Sequence, residues 1–533
     1  MKVIVTERIA DSGLEYLKEY VDVDFRLDIP REELLDIIKD YDAIIVRSVT
    51  KVDKELITRG KNLKVIGRAG NGVDNIDLDV ATERGIIVVN TPEGNIISAA
   101  EHTIGLMLSI ARNIPQAYNG TINGDFRRNK FKGVELSGKT VGIIGLGRIG
   151  SLVATRLAAF NMKVIAYDPY IRDSRFEKYG ATKVTFDELL KESDFITIHT
   201  PKTEETIDII DEEEFKKVKR GVRIVNCARG GLINEDALYN ALKEGIVAAA
   251  ALDVFKVEPS YDREKQDFNN KLLELPNVVV TPHLGASTVE AQNNVGISVA
   301  KEVVTALNGK LYGNIVNLPD IKADEFGELK PYMKLCEAMG ALYYQINDIP
   351  ISSVEIIYRG HISQHNTDVV TLHALKGLLK PALKEGVSVV NARLRAKEMG
   401  VEVIEGKIDE INHYSSLVIL KITDTKGGIS QFAGTTYGDE IRIVEYLGHK
   451  VNFEPTEYML FVRNKDIPGV IGHIGNVLGD FGINISSMHV SPNKSDGTAL
   501  MIVNTDREIP HEAVESLNNL NSILRAKAVK GLI

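Results

Sequence analysis

Through its first hundred residues the chain alternates short β-rich apolar runs with amphipathic segments. The runs are VIVT (3–6), the helical EELLDIIKDY (32–41), AIIVRS (43–48), LKVIGRAG (63–70) and IIVVNTP (86–92). Strands alternating with helices at this spacing predict a parallel sheet with helices on its faces. A long helical stretch follows from about Ser98 to Arg112, then a polar loop, NGTINGDFRRNKFKG. A second α/β series begins at Lys139, with strand-like runs TVGIIG, MKVIAYD, DFITIHT, VRIVNCA, AAAALDV and NVVVTPH. Six nearly continuous apolar strands, buried on both faces, predict a doubly wound sheet.

Beyond about Asn317 the pattern changes to α+β. A helix is expected near 332–345, a strand near 353–358, helices near 367–380 and 389–399, and several shorter strands. The last 75 residues are more regular: YMLFVR (458–463), INISSMHV (483–490), TALMIVNT (498–505) and ILRAKAVKG (523–531) read as strands. Pro468 is expected to open a helix with Val470, Ile471, Ile474, Val477, Leu478 and Phe481 on one apolar face, ended by Gly482. With a second helix near 510–521 this predicts a βαββαβ unit.

A chain of 533 residues exceeds one ordinary hydrophobic core, so three or four domains are expected. Its net charge of −10 argues against a nucleic-acid or anionic-membrane partner. The two cysteines, Cys227 and Cys336, support neither a disulfide framework nor a cysteine-rich zinc site, and no metal is expected. The N-terminus reads as a first strand and helix rather than a signal peptide, and no apolar run approaches the ~20 residues of a membrane helix. A cytoplasmic location follows.

Residues 145–150 read GLGRIG, between a strand and a periodic helix, with Asp168 ending the next strand about twenty residues on. Gly145 would permit a tight turn, Gly147 the approach of backbone N–H groups to a pyrophosphate, and Gly150 close helix–strand packing. Asp168 would accept from the ribose hydroxyls and repel a 2′-phosphate, which favours NAD over NADP.

The ends of the later strands carry HTP (199–201), NCARGG (226–231), ALDVFKVEP (251–259) and TPHLGAST (281–288). These segments resemble those of the D-isomer-specific 2-hydroxyacid dehydrogenases. GRAGNGVDNID (67–77), NTPEGN (90–95) and the added C-terminal domains resemble the long-form branch that acts on 3-phosphoglycerate. The resemblance implies a catalytic set of Arg229, Glu258 and His283. Histidine suits a base because its ordinary pKa of ~6.5 lies near working pH, a carboxylate beside it raises its basicity, and a guanidinium clamps a carboxylate.

The resemblance also implies cofactor contacts from Arg148, Ile149, Thr200, Cys227, Ala228, Arg229, Asp253, His283 and Gly285 beside the three glycines and Asp168. Cys227 has a second reading as a nucleophile and Asp253 as a strand-end cap. Arg47 and Arg128 match substrate-phosphate contacts, with Arg127 and Lys130 adjacent to the latter; Asn71 and Gly72 match the carboxylate loop, alongside Arg229 and His283. The terminal unit resembles an ACT domain, implying serine as effector near Asp466 and Asn484.

The expected architecture is a Rossmann-type nucleotide domain (99–285) inserted in a flavodoxin-like substrate domain (1–98 and 286–316). An intervening α+β domain (317–452) and an ACT-like domain (453–533) follow, in a homo-oligomer, dimer or tetramer. The expected reaction is NAD-dependent oxidation of 3-phosphoglycerate. An unphosphorylated 2-hydroxy acid such as glycerate or 2-hydroxyglutarate, and a non-catalytic NAD-sensing scaffold, stand as alternatives.

Overall fold

The structure, a computed structural model, describes residues 1–259, 268–411, 413–493 and 496–532. The apolar runs of the first hundred residues form a five-stranded parallel sheet in which the strands, numbered along the chain, lie in the order 2-1-3-4-5. This is the flavodoxin order. Successive side chains of a strand face opposite ways, so each apolar run supplies two cores. Val3, Val5, Ile45 and Val65 pack with Val295, Val299 and Val303 on one face. Ile4, Ile44, Val46 and Ile66 pack with Leu34, Leu35 and Leu56 on the other.

The first of those cores is completed from far downstream. Helix Val289–Leu307 crosses helix Asp11–Tyr20, and the crossing admits no side chain at its centre. A Cβ on Gly13 would lie 2.4 Å from the Gly296 carbonyl oxygen.

The second series forms a seven-stranded parallel sheet. Across it run Val278–Val280, Val247–Leu252, Val222–Asn226, Phe195–Ile198, Thr140–Ile144, Lys163–Tyr167 and Thr182–Lys183. The strand order reverses between Phe195–Ile198 and Thr140–Ile144, which opens a crevice at their carboxyl ends. The doubly wound expectation is met. The seventh strand was not expected: Thr182–Lys183 is two exposed residues on the edge, with no apolar run to announce it.

In the third region, helices Ala323–Ile346 and Asp368–Leu383 cover a six-stranded sheet. The first helix starts nine residues before the expected 332 and runs through Pro331. Proline removes a donor to the carbonyl four residues earlier, here exposed Gly327, which water can satisfy. The strands are also longer than expected, Ser416–Asp424 and Ile429–Tyr437 having nine residues each.

The terminal βαββαβ unit folds as four antiparallel strands. Its first helix is Val470–Asp480, so Pro468 lies in the preceding turn rather than opening it; Gly469, at φ 95°, is the N-cap. Of the expected apolar face, Val470, Ile474 and Leu478 are buried, whereas Ile471 is 54% and Phe481 41% exposed. The helices cover one sheet face only. The other face, through Met459, Phe461, Leu500, Ile502 and Val529, joins the core of the preceding region.

Replacing Gly13 by alanine should force the two crossing helices apart. A loss of about 2 kcal/mol is expected, seen as a lower midpoint in thermal unfolding of the full chain.

Candidate active site

A cleft of about 1880 Å³ opens between the two parallel-sheet units. Its nucleotide side starts at strand Thr140–Ile144. Gly145 turns the chain at φ 90°, and a Cβ there would lie 2.9 Å from the His199 carbonyl. A Cβ on Gly150 would lie 2.1 Å from the Gly145 oxygen, so the helix can seat against the turn only with glycine there. Gly147, the N-cap of helix Arg148–Ala159, faces open space instead. That bare helix start, with its unsatisfied N–H groups, fits a pyrophosphate. Asp168 sits above it, accepting from the Leu146 and Tyr170 N–H groups at 3.0 Å each.

Deeper in the cleft, the Thr200 hydroxyl is buried with no hydrogen-bond partner, a group that a bound ligand can satisfy. Arg148, Ile149, Cys227, Ala228 and Gly285 line the same space. Burial pushes the Cys227 thiol up to about 12, so it is no thiolate nucleophile. Burial also holds His199 neutral, with its value lowered to about 4.

The strongest anchor lies under the floor. Asp253 is fully buried at the end of strand Val247–Leu252. It accepts from Thr281 Oγ1 at 2.5 Å, Leu284 N at 2.7 Å and Gly285 N at 2.8 Å, with His102 Nε2 at 3.1 Å. Burial alone would raise its carboxyl; the hydrogen bonds from His102, Thr281 and Leu284 outweigh that and hold it below the ordinary range. These bonds brace the turn that carries His283, whose φ of 57° is unusual for a side-chain-bearing residue.

So braced, His283 Nδ1 lies 3.1 Å from Glu258 Oε2, while Glu258 Oε1 accepts the Phe255 N–H at 3.1 Å. Arg229 enters from the end of strand Val222–Asn226 and spans the cleft. Its Nη1 donates to the Ala228 carbonyl at 2.7 Å and its Nε to Asp74 at 3.1 Å. A Cβ on Gly72 would lie 2.0 Å from Arg229 Nη2, so only glycine admits this approach. The opposite wall carries Arg47, Asn71 and Gly72.

Arg68 and His102 are among the groups that escaped the sequence reading. Arg68 lines the cleft, its value lowered to about 10 by burial and then by the charge of Arg229. His102 holds Asp253 from helix Ile96–Arg112. Both lie inside segments quoted for other reasons, where nothing marks their orientation.

Arg128 goes elsewhere. It is exposed, outside the cleft, on an arm folded on itself by Asp125 pairing with Arg127 and Lys130. Asp466 and Asn484 are exposed on the terminal unit, where Asp466 N–H donates to the Gly497 carbonyl and Asn484 N–H to Asp506. Among the described residues no cluster of His, Cys, Asp and Glu is arranged to hold a metal.

Three family models match: the D-isomer specific 2-hydroxyacid dehydrogenase NAD binding domain at residues 104–285, the D-3-phosphoglycerate dehydrogenase intervening domain at 328–446, and the ACT domain at 458–521. A D-3-phosphoglycerate dehydrogenase of Methanocaldococcus jannaschii is 44% identical over 98% of each chain. The chain belongs to the D-3-phosphoglycerate dehydrogenase family. Another member, from Bacillus subtilis, is 41% identical over 99% of each chain.

As this family membership requires, the chain is an NAD-dependent oxidoreductase with an ACT domain. Among solved structures, a D-lactate dehydrogenase from Aquifex aeolicus complexed with NAD and lactic acid matches 60% of this chain and all of its own, with TM-score 0.54 and 31% identity. A glyoxylate reductase from a Paecilomyces species matches 59% of this chain and 98% of its own at TM-score 0.54 and 34% identity.

The Asp253 network stabilises the family fold most above the ordinary carboxylate pKa and loses that contribution as pH falls through the lowered folded value. Asp253→Asn should therefore cost about 2 kcal/mol at pH 7. The difference from wild type should shrink below about pH 4, as read in urea unfolding at a series of pH values.

Proposed function

We propose that the chain oxidises the C2 hydroxyl of 3-phospho-D-glycerate to 3-phosphohydroxypyruvate, the first step of L-serine synthesis, through the residues gathered in this cleft. One observation carries the reading: the His283–Glu258 pair and three arginines, Arg47, Arg68 and Arg229, line one cavity. That is a base with cations enough for a substrate bearing both carboxylate and phosphate.

Gly145–Gly150 and Asp168 would hold NAD, which would supply the hydride acceptor when bound. His283 takes the hydroxyl proton at Nε2, because Nδ1 is turned to Glu258. Glu258 orients the ring and stabilises the imidazolium. Arg229 holds the substrate carboxylate beside the Asn71–Gly72 backbone and steadies charge on the C2 oxygen. Arg47 and Arg68 offset the phosphate, whose removal from water needs paired cations. Asp253 and Gly285 support the nicotinamide end.

In this reading residues 1–98 with 286–316 bind substrate, 99–285 bind NAD, and 317–452 join them to the regulatory unit, 453–533. Closure of the cleft excludes water and brings His283 to the hydroxyl. A homo-oligomer is supported by an exposed apolar stripe, Ile114, Tyr118, Ile122 and Phe126, exposed by 51, 66, 64 and 75%. A cytoplasmic location suits two free cysteines. Serine is the proposed ACT effector, near Asp466 and Asn484.

NADH formation followed by absorbance should show 3-phosphoglycerate preferred over D-glycerate by at least about a hundredfold in kcat/KM, the worth of two charged hydrogen bonds. His283→Ala should lower kcat about a thousandfold; a variant as fast as wild type would remove the base. Calorimetry of the full chain should detect serine binding that Asp466→Ala abolishes, and no heat at millimolar serine would end the effector assignment.

A further inference from the structure

Two anion anchors at opposite ends of the substrate must stand a fixed distance apart. One short segment touches both. Asn75 Nδ2 donates to the carbonyls of Arg47 at 2.9 Å and Thr50 at 2.7 Å. The residue before it, Asp74, accepts from Arg229 Nε at 3.1 Å.

The loop that Asn75 grips has unusual backbone bonding. The N–H groups of Arg47, Ser48, Val49 and Thr50 all converge on the Glu7 carboxylate, at 2.8, 3.1, 3.1 and 2.9 Å. Such a nest of amides would suit a phosphate, but here the chain's own carboxylate occupies it. An incoming phosphate must then be met by side chains, and the loop's geometry decides where they stand. Glu7 fixes the N–H side and Asn75 the carbonyl side. Arg47 is steered further by its Nη1 donating to the Arg8 carbonyl at 3.3 Å.

At the other end, Asp74 engages Nε of Arg229 and Ala228 engages Nη1, so the guanidinium is oriented with Nη2 against Gly72. The segment between is itself tied down: Val52 N–H donates to the Asn75 carbonyl at 2.8 Å, and Asp77 N–H to the Val52 carbonyl at 2.9 Å.

We infer that Asp74 and Asn75 are positioning residues that act as a spacer, setting the separation of the phosphate anchor at Arg47 from the carboxylate anchor at Arg229. Asn75 acts through the Arg47–Thr50 loop and Asp74 through Arg229. Asp74 fixes the carboxylate end for any 2-hydroxy acid, and Asn75, by placing the far anchor, selects those that carry a second anion at the matching distance. The inference rests on the phosphoglycerate reading above.

The test measures kcat and KM of the full-length enzyme for 3-phospho-D-glycerate and D-glycerate, with NADH binding by fluorescence as a check of the nucleotide side. Asn75→Ala should lower the phosphoglycerate-to-glycerate ratio of kcat/KM about tenfold, through KM. Asn75→Ser serves in its place if alanine prevents folding. Asp74→Asn should lower both substrates by a similar factor, about tenfold, leaving the ratio in place. A wild-type ratio near one overturns the substrate reading and takes the spacer with it. A high wild-type ratio that Asn75→Ala or Asn75→Ser leaves unmoved overturns the spacer alone, as does an equal loss on both substrates.

Discussion

A single buried carboxylate governs the site. Asp253 has no exposed surface, and a charge so placed is tolerated only when its oxygens are filled with donors. The donors come from three directions: a helix side chain, a strand-end hydroxyl and two amides of the turn after Pro282. Satisfying the charge and shaping the turn that carries His283 are therefore one event. The left-handed backbone at His283 persists because its neighbours cannot relax without stranding that carboxylate. The imidazole meets Glu258 as a consequence of this turn, since the two residues are 25 positions apart.

The cleft also reverses the electrostatics of the chain. The whole molecule carries −10, yet Arg47, Arg68 and Arg229 lie close enough that each lowers or is felt by another. Arg68 is lowered first by burial and then by the charges of Arg229 and Arg47. Glu7 and Asp74, which also line the cleft, oppose part of that lowering. An anionic substrate then supplies the compensation that the protein itself withholds, which favours association with multiply charged acids and disfavours neutral ones.

How far the chain could be read follows from where its signals lie. The runs Val3–Ile4–Val5 and Ala43–Ile44–Ile45 are apolar throughout because both their faces are buried, and both parallel sheets were legible from such short runs set between amphipathic segments. The glycines at 145, 147 and 150 were legible because each has a separate steric reason. Arg68, Asp74 and Asn75 were not, although all three stand within one quoted segment; an arginine on a strand looks the same whether it faces water or a cleft. Arg128 lies outside this chain's own cleft, and cations in a polar loop give no sign in the sequence of which surface the loop faces. Ile471 and Phe481 fit a helical stripe by spacing, but burial depends on what the sheet beneath them covers, and spacing alone does not contain that.

The terminal domain shares its second sheet face with the region before it. Phe461 meets Tyr446 and Phe453 edge-on at 6.0 and 5.9 Å, and Gln345 exchanges two hydrogen bonds with the Lys530 backbone. The ACT domain is thus packed against its neighbour through a common core rather than tethered to it. Cutting the chain just ahead of Tyr458 would leave an oily wall on both fragments. A shift of this domain would have to break or carry along the core it shares with the region before it.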